Sequence, residues 1–153
     1  MRLIFITLFT SFSYAENFYK LGIGSCVDYD YPIPAWDSLE QESLNSFFFL
    51  GDNIYGDVPS GKLDSVKISY ENMNERMPEW LQETEKLVIW DDHDYGLNDA
   101  GENYLYKAES QKIYNNAWKI NQNDPRRTRE GIYFSELKII NEKKVLFVGL
   151  DTM

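Results

Sequence analysis

One cysteine, one histidine and fifteen basic residues are the whole supply of soft ligands, imidazole and cations in this 153-residue chain. Each scarcity excludes something. A lone Cys26 cannot close an internal disulfide, so it is a buried small hydrophobe, half of an intermolecular bridge or a metal ligand. Twenty-five acids against the fifteen bases leave a net charge of −10, which repels nucleic acid and anionic membranes at long range. No apolar run approaches the roughly 18 residues that span a bilayer, so no transmembrane anchor is expected. Repeats, low-complexity tracts and an internal linker are also missing, which leaves room for a single domain.

What is present begins with "MRLIFITLFTSFSYA". Arg2, a short apolar run, and Ser13 and Ala15 at the −3 and −1 positions give residues 1–15 the pattern of a secretory signal peptide. A first buried strand is the competing reading. Cleavage after Ala15 removes Arg2 alone among the charges, leaving 14 bases against 25 acids. The remaining 16–153 form the expected domain, exported to the periplasm, the outside or the secretory pathway. If so acidic a chain handles phosphate, a cation must be added locally, and a metal ion is the obvious one.

The periodicity predicts an α/β pattern. Strands are expected over 18–26, 46–50 and 86–90, and a hairpin in "GIYFSELKII" and "KVLFVGLD" turning at "NEK". Helices are expected over 37–46 with Asp37 as cap, over 63–77 with Leu63, Val66, Tyr70, Met73 and Met77 inward, continuing through "EWLQETE", and over 106–122 with Ile113, Ala117 and Ile120 on one face. Four strands end in polar tips: "SC", "GDN", "DDHD" and "LDT". Ligands in open α/β sheets sit beyond the carboxyl ends of strands, so the tips are expected to converge Cys26, Asp52, Asp91, Asp92, His93, Asp94 and Asp151.

Clustered carboxylates repel unless protonated or metal-bound. In "FFFLGDNIYGD", Asp52, Asn53 and Tyr55 leave a buried strand on one short loop, where Asp52 could bridge two metals and the Tyr55 phenolate would suit ferric iron. A Gly-Asp turn and a packing tyrosine are the plainer readings. "WDDHDYGLND" crowds aspartates around the only histidine, which is costly without a cation; a calcium-type loop or an exposed acidic turn competes. "DPRRTREGIY" is the one dense basic segment. Its Arg126, Arg127 and Arg129 could grip phosphate oxygens, but a solvated loop or pairing with nearby acids is the favoured reading.

Together, "GSC", "LGDNIYGD", "WDDHDYGLNDAG", "RRTREGIY" and "VLFVGLDT" resemble, in order and spacing, the PhoD-like alkaline phosphatase family of metallophosphoesterases, from about residue 20 to the last. The resemblance implies a four-layer α/β/β/α sandwich and metal-dependent hydrolysis of phosphate mono- or diesters. It implies a centre of Fe3+ and Ca2+, with Cys26, Asp52 and Tyr55 on the iron and Asp52 also touching the second metal. "DDHD" stands where the superfamily carries Gly-Asn-His-Asp/Glu, making Asp92 a metal ligand and His93 the catalytic group beside the leaving group. Asp91 and Asp94 would support these, with Asn53 and Arg127 as weaker supporting or substrate residues. Two departures stand out: "LDTM" replaces the usual Leu-Asp-Thr-Arg, and the family's later Gly-Asp-x-His motif is absent. The resemblance therefore implies the N-terminal half of such an enzyme, inactive alone and exposing apolar surface. The alternative is a non-catalytic secreted domain with an acidic calcium-binding loop, or a gene remnant.

Overall fold

Three short apolar strands organise the chain. In a computed structural model, which describes residues 18–153, β1 (Leu21–Gly24), β2 (Ser46–Leu50) and β3 (Glu85–Ile89) pair in parallel in the order β1-β2-β3. Continuous runs such as "SFFFL" suit such strands because parallel sheets are covered on both faces. The signal peptide expected over residues 1–15 lies outside the described residues.

One face of the sheet carries Phe47, Phe49 and Val88, all buried against helices. The helices are α1 (Ala35–Glu40), α2 (Asp64–Arg76), α3 (Glu79–Glu83), the one-turn α4 (Asp92–Tyr95) and α5 (Lys107–Ala117). The five positions expected to face inward around α2, Leu63, Val66, Tyr70, Met73 and Met77, are all buried. Each such side chain contributes roughly 1.5–3 kcal/mol on leaving water. Rings fill the seam between layers: Trp36 meets Phe47 edge-on at 5.7 Å, and Phe49 tilts against Trp118 at 4.9 Å.

The other face is covered in part, with Ile23 left exposed, by a hairpin of β4 (Phe134–Ile140) and β5 (Lys143–Gly149), a separate two-stranded antiparallel sheet. Its turn falls at Asn141 and Glu142, with φ of 49° and 65°, the left-handed pair that two-residue hairpins demand. Phe134 stacks toward Phe48 at 6.0 Å, and Lys138 bridges to Glu85 at the start of β3. The outward face of the hairpin is apolar and exposed, with Leu137, Ile139, Leu146 and Val148 all more than half accessible. No described helix is long and apolar enough to cross a membrane.

Several helix boundaries differ from expectation. The first helix ends at Glu40 rather than 46, and the helix expected to continue from 63–77 through "EWLQETE" is broken at Met77 and Pro78, both extended, into α2 and α3. The first helix begins at Ala35, because Pro34 presets its own backbone at φ −61°; Asp37 is therefore in the first turn rather than at the cap. The helix expected to run to 122 stops at Ala117. Lys119 turns left-handed at φ 52°, its amide bonds the Asn116 carbonyl, and the Ile120 amide reaches back to Asn115, which closes the helix with six-to-one and five-to-two bonds.

The hairpin approaches the sheet at Gly149. A methyl group there would lie 2.2 Å from Phe134 Cε1 and 2.7 Å from Ile89 Cγ2. Phe134 has little room to yield, with Phe48 on one side and the Arg126 guanidinium 4.9 Å over its ring. Gly149→Ala should destabilise the fold by about 1–3 kcal/mol, read as a lower urea midpoint. An unchanged midpoint would mean that the hairpin is not pressed on the sheet.

Candidate metal centre

The carboxyl ends of β1, β2 and β3 meet at one edge, and their backbones are cross-tied there. The Cys26 amide bonds the Gly51 carbonyl at 3.2 Å and the Val27 amide bonds Asp52 at 2.8 Å. Both tips are strained. Cys26 and Asp52 hold φ of 58° and 50°, a left-handed conformation that costs a non-glycine residue about 1 kcal/mol or more. The strain turns both side chains off the strand direction and toward each other, with Cys26 Sγ 3.8 Å from Asp52 Oδ2. Tyr55 Oη donates to the same oxygen at 3.3 Å.

From β3, Asp92 and His93 complete the group. Ligand atoms of Asp52, Asp92 and His93 all lie within 4.8 Å of one another, a set able to hold a metal ion. The fit is tested by Asp52 itself. Its Oδ2 has two donors, but Oδ1 is buried with no hydrogen-bond partner among the described residues. A carboxylate oxygen so placed is costly unless a cation meets it. Burial pushes the Asp52 carboxyl above its ordinary range; His93 opposes this, while Asp91 and Asp92 add to it. The Tyr55 phenol is pushed up first by burial, then by Cys26 and Asp52.

Asp57, which the sequence reading passed over, anchors the histidine. Its Oδ1 lies 2.5 Å from His93 Nδ1, and its Oδ2 accepts from the Asn98 amide at 3.2 Å. Burial alone would lower the His93 pKa, but the Asp57 hydrogen bond and charge, with Asp52 and Asp92, raise it. With Nδ1 committed to Asp57, Nε2 is the nitrogen left for a metal or a substrate. Tyr55 holds the ring from the side, centroids 4.5 Å apart. A signal was available: the sole imidazole in an acidic chain needs a carboxylate, and Asp57 lies two residues beyond Tyr55 in the same loop.

The other expected residues serve as supports. Asp91 caps α4 by accepting from Asp92, and its own amide donates to Asp94 Oδ2, closing a capping box. Asp94 is fully buried and also accepts from the Asn53 amide, Asn53 Nδ2 and Tyr70 Oη. Asn53 is turned into the core as well, with Nδ2 bonding the Ile89 carbonyl. Cys26 is exposed, which removes the buried-hydrophobe reading. Asp151 does not join the cluster. It lies just beyond the end of β5 and accepts from Trp90 Nε1 at 2.8 Å and from the Ile132 amide at 2.7 Å. The Arg127 guanidinium is bonded to the Ile120 and Asn115 carbonyls and to Asn116 Oδ1.

No family model, no curated protein and no solved structure matches the chain.

The cluster's rigidity should rest on Asp94. Asp94→Ala strands Tyr70 Oη and the Asn53 donors in the core, so about 3 kcal/mol or more of stability should be lost in urea unfolding. Its pH signature has a definite sign. Burial raises the Asp94 pKa from 3.8 to about 7, against the pull of its donors. Between those values the folded chain holds a proton that the unfolded chain has lost. This group's contribution to stability therefore falls as pH rises from about 4 to about 7, then stays level. Asp94→Asn should flatten that slope; an unaltered slope would show that Asp94 is not its source.

Proposed function

We propose that this chain forms the metal site of an exported phosphoesterase of the PhoD-like kind, acting on phosphate mono- or diesters within a four-layer sandwich. The observation that carries this reading is the meeting of Asp52, Asp92 and His93 at the strand tips, with Asp52 Oδ1 buried and unpartnered among the described residues. An open α/β sheet puts ligand chemistry at that edge.

Asp52 and Asp92 would supply hard oxygen ligands, and Cys26 and Tyr55, both in contact with Asp52 Oδ2, would add a thiolate and a phenolate on losing their protons to the metal. That mixture suits Fe3+ next to a harder Ca2+. When bound, such ions would stabilise charge on the phosphoryl oxygens and acidify an attacking water. The chain's own groups do the rest. Asp57 engages His93 Nδ1 and so orients the ring, leaving Nε2 as the nitrogen free for the reaction. The Asp57 hydrogen bond and charge, which outweigh burial and raise the His93 pKa, favour the protonated ring that could give its Nε2 proton to a departing alkoxide.

The test uses the full-length gene product loaded with Fe3+ and Ca2+. It should hydrolyse p-nitrophenyl phosphate or its bis-ester and show a visible phenolate-to-iron band. Tyr55→Phe keeps the ring and should abolish the band with most of the activity; Cys26→Ser should shift the band and weaken iron retention. Asp57→Asn should lower kcat about tenfold or more, leaving the band in place, because it frees the His93 ring without touching a ligand. An iron-loaded protein whose spectrum ignores Tyr55→Phe would make Tyr55 a packing residue. Metal binding with no turnover of either ester would favour a calcium-binding secreted domain instead.

A further inference from the structure

The basic segment that the metal chemistry leaves unused borders a cavity of about 630 Å3. It opens between α5, the connection from α5 to β4, and the ends of β3 and β5, and Trp90, Tyr95 and Tyr133 contribute to its walls. Its volume lies in the range of small-molecule sites. Asp52, Asp92 and His93 are not among its lining residues.

The three arginines of this segment are not equivalent. Arg126 is neutralised by Asp124, with Nη2 2.8 Å from Oδ2, and lies over Phe134. Arg127 keeps its charge but spends its donors on carbonyl oxygens. Arg129 differs from both. Its guanidinium carbon lies over Tyr133, 3.6 Å from the ring centroid, and its Nε is buried with no acceptor among the described residues. No carboxylate among the described residues lies within ion-pair distance of Arg129, Arg127 or Lys112. A second lining residue, Asn115, is also buried with Oδ1 unpartnered.

The acids at the cavity leave a small positive balance. Glu130 is cancelled by Lys107 at 2.6 Å, and Asp151 is held by Trp90 Nε1 and the Ile132 and Met153 amides. Glu102 has no such partner at the rim. Three uncancelled cations thus face two uncancelled acids, in a chain whose net charge is −10. A stacked guanidinium with free donors is pre-organised for a planar, two-point grip on an oxyanion.

We propose that this cavity binds a small organic oxyanion, with Arg129 gripping its anionic head, Lys112 adding charge at the rim and the rest of the cavity taking its body. The site is separate from the metal cluster and does not depend on the phosphoesterase reading.

The probes are phenylphosphonate and benzoate, which carry a phosphonate or a carboxylate head on the same ring. Each is titrated calorimetrically into the full chain at constant ionic strength with EDTA present. Saturable one-site binding of at least one is expected, and the tighter probe identifies the head. That binding should survive Asp92→Asn, weaken about tenfold or more in Arg129→Gln, and weaken less in Lys112→Gln. Lys112 is exposed, so its variant reports on charge with the fold intact even if Arg129→Gln unfolds. Three results overturn the proposal: no saturation by either probe up to about 10 mM, binding that Asp92→Asn abolishes, or binding indifferent to both cation variants.

Discussion

The carboxylate of Asp94 is the constraint on which the site depends. It comes from the turn after β3 and accepts from the loop after β2 through Asn53, from α2 through Tyr70, and from its own helix start through Asp91. Three elements that share no local sequence are thereby held to one buried atom pair. Asn53 follows Asp52 directly, and Asp92 and His93 directly precede Asp94. Fixing Asn53 against Asp94 therefore fixes the two strand tips against each other. The alternation works in favour of chemistry: as Asn53 and Asp94 turn inward, their neighbours are presented at the edge. A buried carboxylate is a poor source of net stability, but removing it leaves its donors unpaired. Its value is in specifying one arrangement of the tips.

The strain at Cys26 and Asp52 follows from the same geometry. Both residues leave their strands in a left-handed conformation, and the hydrogen bonds from Cys26 to Gly51 and from Val27 to Asp52 hold them there. Glycine takes such a conformation without steric cost, as at Gly51 with φ 100°, whereas these two positions carry a thiol and a carboxylate.

Much of this arrangement was legible in the sequence, for physical reasons. β2, β3 and the inward positions of α2 were readable because burial imposes continuous apolar runs on parallel strands and a 3.6-residue spacing on helices. Asp52, Asp92 and His93 were readable because acids at strand ends around a lone histidine are electrostatically costly. Asp94 looked like its neighbours on paper; only its burial separates a hub from a ligand. Asp57 was missed because its meaning lies in a partner 36 residues away. Asp151 was misplaced because a strand's polar tip does not say which sheet the strand joins, and β5 pairs with β4 rather than with the parallel set. The arginines of 126–129 divide by contacts that composition cannot express: one paired, one bonded to carbonyls, one stacked without an acceptor.

Tyr55 shows how such a site selects what it binds. Burial first, then the Cys26 and Asp52 groups beside it, raise the pKa of its phenol. The negative charge of the surrounding acids also raises the local concentration of cations. A weakly charged ion cannot repay the cost of ionising the phenol, so it would bind through Asp52 and Asp92 and leave Tyr55 as a hydrogen-bond donor. An ion of high charge and strong affinity for phenolate can reverse the balance, since a bound cation inverts the local pKa logic outright. The same three features, burial, an adjacent carboxylate and an adjacent thiol, thus oppose the phenolate when no strong cation is present and reward it when one is. On the proposed reading the tyrosine three residues after Asp52 would act as a filter on the metal, and the apolar strand behind it would keep that filter rigid.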